Sequence, residues 1–342
     1  MKAKSIAIIG AGSSGLAAAH ALQDAGHTVT LFEQSRAVGG RATTRKRDGF
    51  IYDSGAQYIR GGSPVSTALI TERFRTGDLL DIAKPVWIFD AQGHIQEGDP
   101  QQNADPKWNY RSGLIALAQR MAEYLHVVAT AIGHLEQTHN GWQLYNTTGH
   151  FIGTFESALV TIPAPQAVEL IQFSQMAIEL QHNITTHLQQ ARYNPLLSVM
   201  LGYSPTPETR PYYALVNTDK AHPISWLAWE HEKSPARAPA NTGLLIAQMA
   251  PPYSRDHWQH VDTNIIHDVA NKVSMLLNER LTEPVFTDIQ RWPYALPSEK
   301  ADAAALNRYT LPYGLAFCGD AFVGGRVHLA LEHGMAVAQA FL

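Results

Sequence analysis

The chain has 342 residues, of which 45% are hydrophobic and 16% charged, and its formal net charge is −4. This length exceeds the usual size of a single hydrophobic core, so we expect two domains, which can be discontinuous in sequence. No long run of one charge sign occurs, and the basic group at residues 41–47 is short and lacks interleaved aromatic residues, which argues against a nucleic-acid partner.

Cys318 is the single cysteine, so an intramolecular disulfide is excluded and a reducing compartment, the cytoplasm, is expected. Lys2 and Lys4, followed by the apolar residues 6–16, imitate a secretory signal. We reject that interpretation because three glycines, at positions 10, 12 and 15, interrupt the apolar stretch. No apolar run reaches the roughly 18 residues that a membrane span needs, so we predict no membrane segment.

The first elements in chain order form a βαβ pattern. Residues 5–9 predict a buried parallel strand, residues 14–25 an alanine-rich helix and residues 27–33 a second strand. Later patterns predict, in order, a helix at 114–125, a strand pair at 126–135 and 141–145, a strand at 155–162, a long helical stretch at 166–190, strands at 197–203, 224–229 and 243–249, a helix at 262–281, strands at 285–292 and 315–318, and a C-terminal helix at 327–341.

A glycine motif lies between the first strand and the first helix. Gly10, Gly12 and Gly15 fit G-x-G-x-x-G, in which the first glycine allows the turn, the second admits a diphosphate to the backbone and the third permits close helix packing. Glu33 follows Gly15 by 18 residues, where a carboxylate can accept hydrogen bonds from a ribose. The pattern predicts a dinucleotide site, but NAD and FAD enzymes share it.

Segments near both ends of the chain discriminate between NAD and FAD. Val38–Thr43 (VGGRAT) and Asp53–Tyr58 (DSGAQY) follow the second strand, whereas Phe317–Asp320 (FCGD) and Gly324–Val327 (GGRV) lie near the C-terminus. With these stretches the sequence resembles the flavin-dependent amine oxidase superfamily. The resemblance implies FAD, with the first GGR stretch beside the diphosphate and the late Gly-Asp on the ribityl chain.

The resemblance and the motif together imply a cofactor site split across the chain. The helix beginning at Val327 would direct its N-terminal amides at the flavin O2. We expect FAD to be non-covalent, because Cys318 is predicted to be a small buried residue. The expected cofactor-binding residues are Gly10, Gly12, Ser14, Gly15, Glu33, Gln34, Gly40, Arg41, Gly55, Ala56, Gln57, Ile132, Gly319, Asp320, Arg326 and Val327.

The predicted fold class is α/β, with a Rossmann-type FAD-binding domain and a mixed-sheet α+β substrate domain. We assign residues 1–62, 109–165 and 286–342 to the first domain and residues 63–108 and 166–285 to the second. Oligomeric state is not encoded in any motif; a monomer or weak dimer is the expectation.

Further stretches resemble the renalase-like flavoproteins of bacteria. They are residues 161–167 (TIPAPQA), 225–228 (SWLA), 234–237 (SPAR), 291–297 (RWPYALP) and 318–327. The resemblance implies oxidation of dihydro-NAD(P) isomers by hydride transfer to flavin N5, with O2 reduced to hydrogen peroxide. A dihydropyridine becomes aromatic when it loses hydride, so no side chain has to act as a base.

Trp292, Tyr294 and Tyr58 are the expected walls of the substrate cavity, since a planar substrate stacked on a flavin needs aromatic or apolar neighbours. Trp226 and Trp229 point to opposite faces of a regular strand, so at most one of them should line the cavity. The sixteen histidines predict no metal site, because none has the spacing and partners that such a site needs.

Two other functions remain open. One is an amine oxidase or a desaturase acting on an apolar substrate, within the same fold. The other is a flavin-binding redox sensor without efficient catalysis. Pro293 and the proline-rich residues 249–253 depart from the renalase-like pattern near the expected cavity, which leaves the substrate open.

Overall fold

The structure, a computed structural model, describes residues 3–341. Met1 and Leu342, the outer limits of the predicted FAD-binding domain, and Lys2, part of the rejected signal-like stretch, lie outside that range. Within it the strands are β1 (Ser5–Ile9), β2 (Thr28–Glu33), β3 (Thr44–Arg47), β4 (Phe50–Asp53), β5 (Ile59–Arg60), β6 (Leu79–Asp81), β7 (Val86–Phe89), β8 (Ile95–Gln96), β9 (Lys107–Tyr110), β10 (His126–Ala129), β11 (Ile132–Thr138), β12 (Gly141–Asn146), β13 (Phe151–Phe155), β14 (Ser157–Val160), β15 (Arg192–Tyr203), β16 (Ala214–Asn217), β17 (Ile224–Trp229), β18 (Gly243–Met249), β19 (Phe286–Glu299) and β20 (Leu315–Phe317).

The helices are α1 (Ser13–Asp24), α2 (Pro64–Ala68), α3 (Pro100–Ala104), α4 (Ile115–Ala122), α5 (Ala164–Phe173), α6 (Ile178–Leu188), α7 (Glu230–Lys233), α8 (Pro251–Asp256), α9 (Asp262–Leu277), α10 (Ala303–Thr310), α11 (Asp320–Val323) and α12 (Val327–Ala338). None of the helices between residues 3 and 341 is long and apolar enough to cross a membrane.

A five-stranded parallel sheet in the order β10-β2-β1-β14-β20 forms the first layer system. Its central strand β1 is almost wholly apolar, as expected for a parallel strand that is covered on both faces. Helices α1, α4 and α12 cover one face, and the other packs against α5, α6 and the three-stranded sheet β11-β12-β13. This is the predicted Rossmann-type arrangement.

A seven-stranded mixed sheet in the order β19-β15-β18-β17-β16-β7-β8 forms the second part. All its pairs are antiparallel except β16 with β7. Side chains alternate between two faces, so Leu227 and Trp229 of β17 pack on α9, whereas Trp226 and Ala228 join a cluster on the opposite face. Gln248, on that opposite face, and Trp292 of β19 donate to the carbonyls of Gly55 and Ser54 in the segment after β4. The predicted α/β fold class is confirmed by the two sheets and their helices.

Two segments belong to a different domain from the one that the sequence predicts. Strand β19, which the sequence places in the FAD-binding domain from residue 286 onward, pairs with β15 in the second sheet. Helices α5 and α6, expected in the substrate domain, instead pack on the core of the first sheet. Sequence periodicity does not reveal which sheet an amphipathic helix covers, because either core accepts its apolar face.

Two predicted elements are also divided. The helical stretch at 166–190 breaks between α5 and α6, since Gln175 donates its N–H to the carbonyl of Leu135 (2.7 Å) and so pairs with β11. Residues 126–135 were expected in one strand, but β10 joins the parallel sheet and β11 begins the three-stranded sheet.

Candidate functional site

The glycine-rich turn leads from β1 into α1, and its three glycines have different surroundings. Gly10 has a φ of +107°, which favours glycine, and a β-carbon there would lie 2.7 Å from the Thr161 hydroxyl. A β-carbon on Gly15 would overlap the carbonyl of Gly10, so α1 packs tightly on the strand. At Gly12 no atom lies within 4 Å of such a carbon. The open side of the turn is therefore at Gly12, beside the N-terminus of α1.

Glu33 ends β2 beside this turn and is buried. One carboxylate oxygen accepts the backbone N–H of Ala11 at 2.9 Å, and the other accepts the N–H and the hydroxyl of Ser35. A carboxylate has about four acceptor positions, so the oxygen that faces Ala11 retains capacity for a further donor. Ala129 of β10 pairs with Glu33, and Ile132 follows it, so the loop between β10 and β11 lies at the same sheet edge.

Arg41 and Asp320 form a two-bond ion pair, with both N–O distances at 2.7 Å, across 279 positions of sequence. Arg41 also donates to the carbonyls of Tyr294 (2.7 Å) and Ala295 (3.1 Å), and Tyr193 donates its hydroxyl to Asp320 at 3.2 Å. Burial, reinforced by the Asp320 charge, raises the pKa of Tyr193, so its hydroxyl stays protonated. The segment at 38–43 is thus joined to the C-terminal Gly-Asp and to β19.

Residues 53–57, here called the Asp53–Gln57 loop, lie against Arg41. A β-carbon on Gly55 would overlap the carbonyl of Arg41, and Ala56 donates its N–H to that carbonyl at 3.0 Å. Two side chains of the seven-stranded sheet hold the loop from the other side. Gln248 donates to the Gly55 carbonyl (2.6 Å), and the Trp292 indole donates to the Ser54 carbonyl (2.9 Å).

Four fully buried charged side chains lie behind this loop: Asp53, Glu230, Lys233 and Arg237, which we call the buried quartet. Burial alone would raise the pKa of Asp53, but the charges of Arg237 and Lys233 outweigh it and hold that pKa well below its usual range. Burial raises the pKa of Glu230 above its ordinary value. Two carboxylates and two cations balance the charge of the quartet, which such burial requires.

Three aromatic rings meet on the same side of the seven-stranded sheet. Tyr58 lies 6.2 Å from Trp226 and 6.5 Å from Tyr213, and Tyr213 lies 6.2 Å from Trp226, measured between ring centres. The indole N–H of Trp226 and the hydroxyl of Tyr213 are buried and have no hydrogen-bond partner within residues 3–341. Buried polar atoms of this kind require an explanation, and a ligand group is one.

The predicted cavity residues Trp292 and Tyr294 lie two positions apart on β19, and both are partly exposed. Trp292 contacts the Asp53–Gln57 loop, whereas the Tyr294 ring packs against Tyr193 with 5.9 Å between centres. Tyr58 belongs to the aromatic group with Trp226. Trp229 lies on the α9 side of the sheet, so only Trp226 of that pair faces the site.

The remaining predicted cofactor residues differ in exposure and in the contacts they make. Ser14 is buried, with its hydroxyl near Gly319, whereas Gln34, Gly40 and Arg326 are exposed. The Gln57 amide is hydrogen-bonded inside the protein to Asp53, Gly55 and Lys233, and its backbone carbonyl accepts from Asn109 at 2.8 Å. Val327 lines a small pocket with Ser13, Ala42, Ile59 and Leu331.

His333 and Cys318 lie next to the Gly319–Asp320 segment. The Gly319 N–H donates to Nδ1 of His333 at 3.1 Å, and burial lowers the pKa of this histidine. Burial raises the pKa of the Cys318 thiol to about 12.

Glu332, on the same C-terminal helix, accepts the Ser63 N–H at 2.8 Å and the Ser66 hydroxyl. No group of three or more metal-ligating side chains occurs within residues 3–341.

Several residues of the site were not predicted from the sequence. Glu230 and Lys233 belong to a Glu-His-Glu-Lys run that is typical of an exposed helix, yet both are buried. Tyr213 and Gln248 gave no signal, because they lie in segments without a motif. Arg237 differs from these four residues, because it lies in the SPAR stretch at 234–237 that carried the resemblance.

These residues fit a bound FAD on three observations. Gly12 leaves open space at a helix N-terminus, where a diphosphate is stabilised. Glu33 retains acceptor capacity at the end of β2. A second helix N-terminus, that of α12 at Val327, presents backbone N–H groups that stabilise a negatively charged ring edge.

Comparison with known families agrees with this geometry. The family described as flavin containing amine oxidoreductase matches residues 93–342, and the NAD(P)-binding Rossmann-like domain matches residues 8–72. A 4,4'-diapophytoene desaturase (4,4'-diaponeurosporene-forming) of Staphylococcus haemolyticus is 39% identical over 85 residues, which are 25% of this chain and 17% of that protein. The chain therefore matches under a fifth of that relative's length.

Solved structures extend the likeness to the whole chain, at the level of fold. Cyclohexylamine oxidase from Brevibacterium oxydans aligns with a TM-score of 0.76 and 13% identity, covering 99% of this chain and 98% of the other. Putrescine oxidase bound to putrescine aligns with a TM-score of 0.75 and 16% identity, covering 99% of each chain.

Proposed function

This chain belongs to the family of flavin containing amine oxidoreductases, and on that premise we propose that it oxidises dihydro-NAD(P) isomers to NAD(P)+. Family membership makes the chain an oxidoreductase with FAD as its cofactor. When bound, FAD supplies a hydride acceptor at N5 and passes two electrons to O2, which takes up protons to give hydrogen peroxide. The protein's own residues bind and orient the substrate.

The observation that carries the proposal is the pair of partnerless donors in the aromatic group. A nicotinamide ring is planar and carries one carboxamide, so it matches an aromatic surface with few polar groups. The Trp226 N–H and the Tyr213 hydroxyl are buried donors on such a surface. A carboxamide oxygen would accept from them, which removes the cost of leaving them unsatisfied.

The proposed chemistry needs no proton to be removed from carbon. Loss of hydride turns a dihydropyridine into an aromatic cation, and the rings of Tyr58 and Trp226 present faces that attract a cation. We therefore assign these side chains to binding and orientation. Gly10, Gly12, Glu33, Arg41 and the C-terminal Gly319–Asp320 segment are proposed to bind FAD, with the other residues named for it above.

An amine oxidase is the second candidate, because aromatic rings also receive alkylammonium groups. The experiment is anaerobic mixing of the purified yellow protein with 2- and 6-dihydronicotinamide isomers, NADH, putrescine and cyclohexylamine, followed by flavin absorbance. We expect rapid bleaching by an isomer and none by the amines. Bleaching by an amine, or no isomer faster than NADH, would overturn the proposal.

A matched pair of variants tests the donor assignment. Trp226→Phe removes the indole N–H facing the site, and Trp229→Phe removes the partnerless indole N–H on the α9 side of the same strand. We expect Trp226→Phe to slow flavin reduction at limiting isomer about tenfold. Trp229→Phe should lower stability but leave that rate unchanged; equal rates in both variants would remove the assignment.

A further inference from the structure

We propose that Lys233 is a positioning residue for FAD binding, and that it acts through Gln57 on the Asp53–Gln57 loop. The inference concerns the cofactor alone, so it does not depend on which substrate the enzyme oxidises. Lys233 lies in the helix that follows β17 of the seven-stranded sheet, and its side chain is fully buried. It is thus part of the substrate half of the molecule.

Lys233 determines which way the Gln57 amide faces. The amide nitrogen donates to the carbonyls of Asp53 (2.6 Å) and Gly55 (3.1 Å), while the amide oxygen accepts from the Lys233 ammonium at 3.1 Å. An ammonium has only donors, so it requires the oxygen to face it. The nitrogen must then face the loop, where it closes the turn between Asp53 and Gln57.

Hydrogen bonds continue from this turn to the glycine motif. Ala56 donates its N–H to the backbone carbonyl of Arg41. The guanidinium of Arg41 in turn donates to the Asp320 carboxylate. Gly39, two residues before Arg41, donates its N–H to the carbonyl of Ala11 at 2.8 Å, next to Gly12. A displaced Asp53–Gln57 loop would therefore move the Arg41 segment that adjoins the proposed diphosphate and ribityl positions.

The other members of the buried quartet place the ammonium. Lys233 Nζ lies 2.7 Å from Glu230 and 3.3 Å from Asp53, so two carboxylates hold it in front of Gln57. A merely structural role is the competing explanation, since removing one partner of a buried ion pair leaves an uncompensated charge and costs stability. The two roles predict different results when the charge balance is restored without the contact to Gln57: a structural role predicts that FAD binding recovers together with stability, and a positioning role predicts that it does not.

The test therefore compares a single variant with a charge-matched double variant. Lys233→Met removes the ammonium and leaves a carboxylate in excess. Lys233→Met/Glu230→Gln restores the charge balance of the quartet but not the contact with Gln57. We measure the melting temperature of each apoprotein and its dissociation constant for FAD by titration of flavin fluorescence, without any substrate.

We expect the double variant to recover most of the melting temperature that Lys233→Met loses, while both bind FAD about tenfold or more weakly than the unmodified protein. Gln57→Leu should weaken FAD binding to a similar extent, and adding it to the double variant should cause little further loss, because coupled residues are not additive. FAD binding that recovers together with stability, or losses that add in full, would overturn the proposal. Unchanged FAD binding in Gln57→Leu alone would do the same, even if the Lys233 variants fail to fold.

Discussion

Gly334 of α12 packs directly on Ser14 of α1, so closely that a β-carbon at residue 334 would overlap the Ser14 carbonyl oxygen. The contact brings the C-terminal helix onto the helix that follows the glycine motif. Val327 begins α12 and Ser13 begins α1, and both residues line one small pocket. Close helix packing thus unites the two distant halves of the proposed FAD site.

Gly334→Ala tests this packing. Alanine is the better helix former by about 1 kcal/mol, but its methyl group has no space against Ser14, and overpacking costs about 1–3 kcal/mol. We expect lower stability by urea unfolding, together with reduced FAD content of the purified protein. A variant that is as stable as the parent would show that α12 can shift freely.

Gly12→Ala should have the opposite profile. An added methyl group meets no protein atom within 4 Å, and the backbone at Gly12 has a φ of −77°, which alanine adopts easily. The apoprotein should therefore melt at an unchanged temperature, while the methyl group blocks the diphosphate and lowers FAD affinity about tenfold or more. Unaltered FAD affinity would place the diphosphate elsewhere.

Cys318 should be unreactive in the folded protein. Burial raises the pKa of its thiol to about 12, so almost no thiolate forms at neutral pH. A thiol reagent such as 5,5'-dithiobis(2-nitrobenzoate) should label the native protein negligibly and label one thiol per chain after denaturation.

Acid should release all the FAD, as the predicted non-covalent attachment requires. Flavin that stays on the precipitated chain would contradict this prediction.

His333 should make FAD retention sensitive to acid. Its neutral Nδ1 accepts the Gly319 N–H, and burial lowers its pKa below the ordinary value of 6.5. The folded state thus prefers the neutral form, so this contribution is complete above about pH 6.5 and is lost as the pH falls through the lowered folded pKa. His333→Asn retains an acceptor that does not titrate.

We expect this variant to retain FAD to lower pH than the parent does in a dialysis series. His222 is the matched control, because its Nδ1 accepts the Ile224 N–H at 3.0 Å and burial lowers its pKa too, but it lies on the far side of the second sheet, beside Phe89. His222→Asn should change the acid stability of the fold without changing FAD retention. If both variants lose FAD over the same pH range, His333 does not control FAD retention.

Strongly local features were predictable from the sequence. The strand, turn and helix around Gly10, Gly12 and Gly15 follow from φ preferences, apolar runs and helix-start signals that act within a few residues. Strands β17 and β18 were predicted with the limits they have in the structure. Less predictable was the assignment of α5, α6 and β19 to a sheet, since their apolar faces suit either core.

The grouping of the buried quartet was beyond any sequence pattern, although Asp53 and Arg237 lie in stretches that carried the resemblance. Charged residues in a short Glu-His-Glu-Lys run favour a solvated helix, and only the packing of α7 behind the Asp53–Gln57 loop buries Glu230 and Lys233. The partners Asp53 and Lys233 are 180 positions apart, so no local signal connects them.

The dinucleotide site was decided by the sequence alone, because a diphosphate site is made from backbone atoms whose conformation glycine spacing controls over a few residues. The choice of FAD over NAD rested on the resemblance carried by the segments at 38–43, 53–58, 317–320 and 324–327. Family membership agrees with that reading. The surroundings of the reacting ring were decided by the tertiary structure. Tyr58, Tyr213 and Trp226 meet, and leave two buried donors without partners, only because strand pairing and sheet twist bring distant segments together, and burial of a side chain depends on what the rest of the chain places over it.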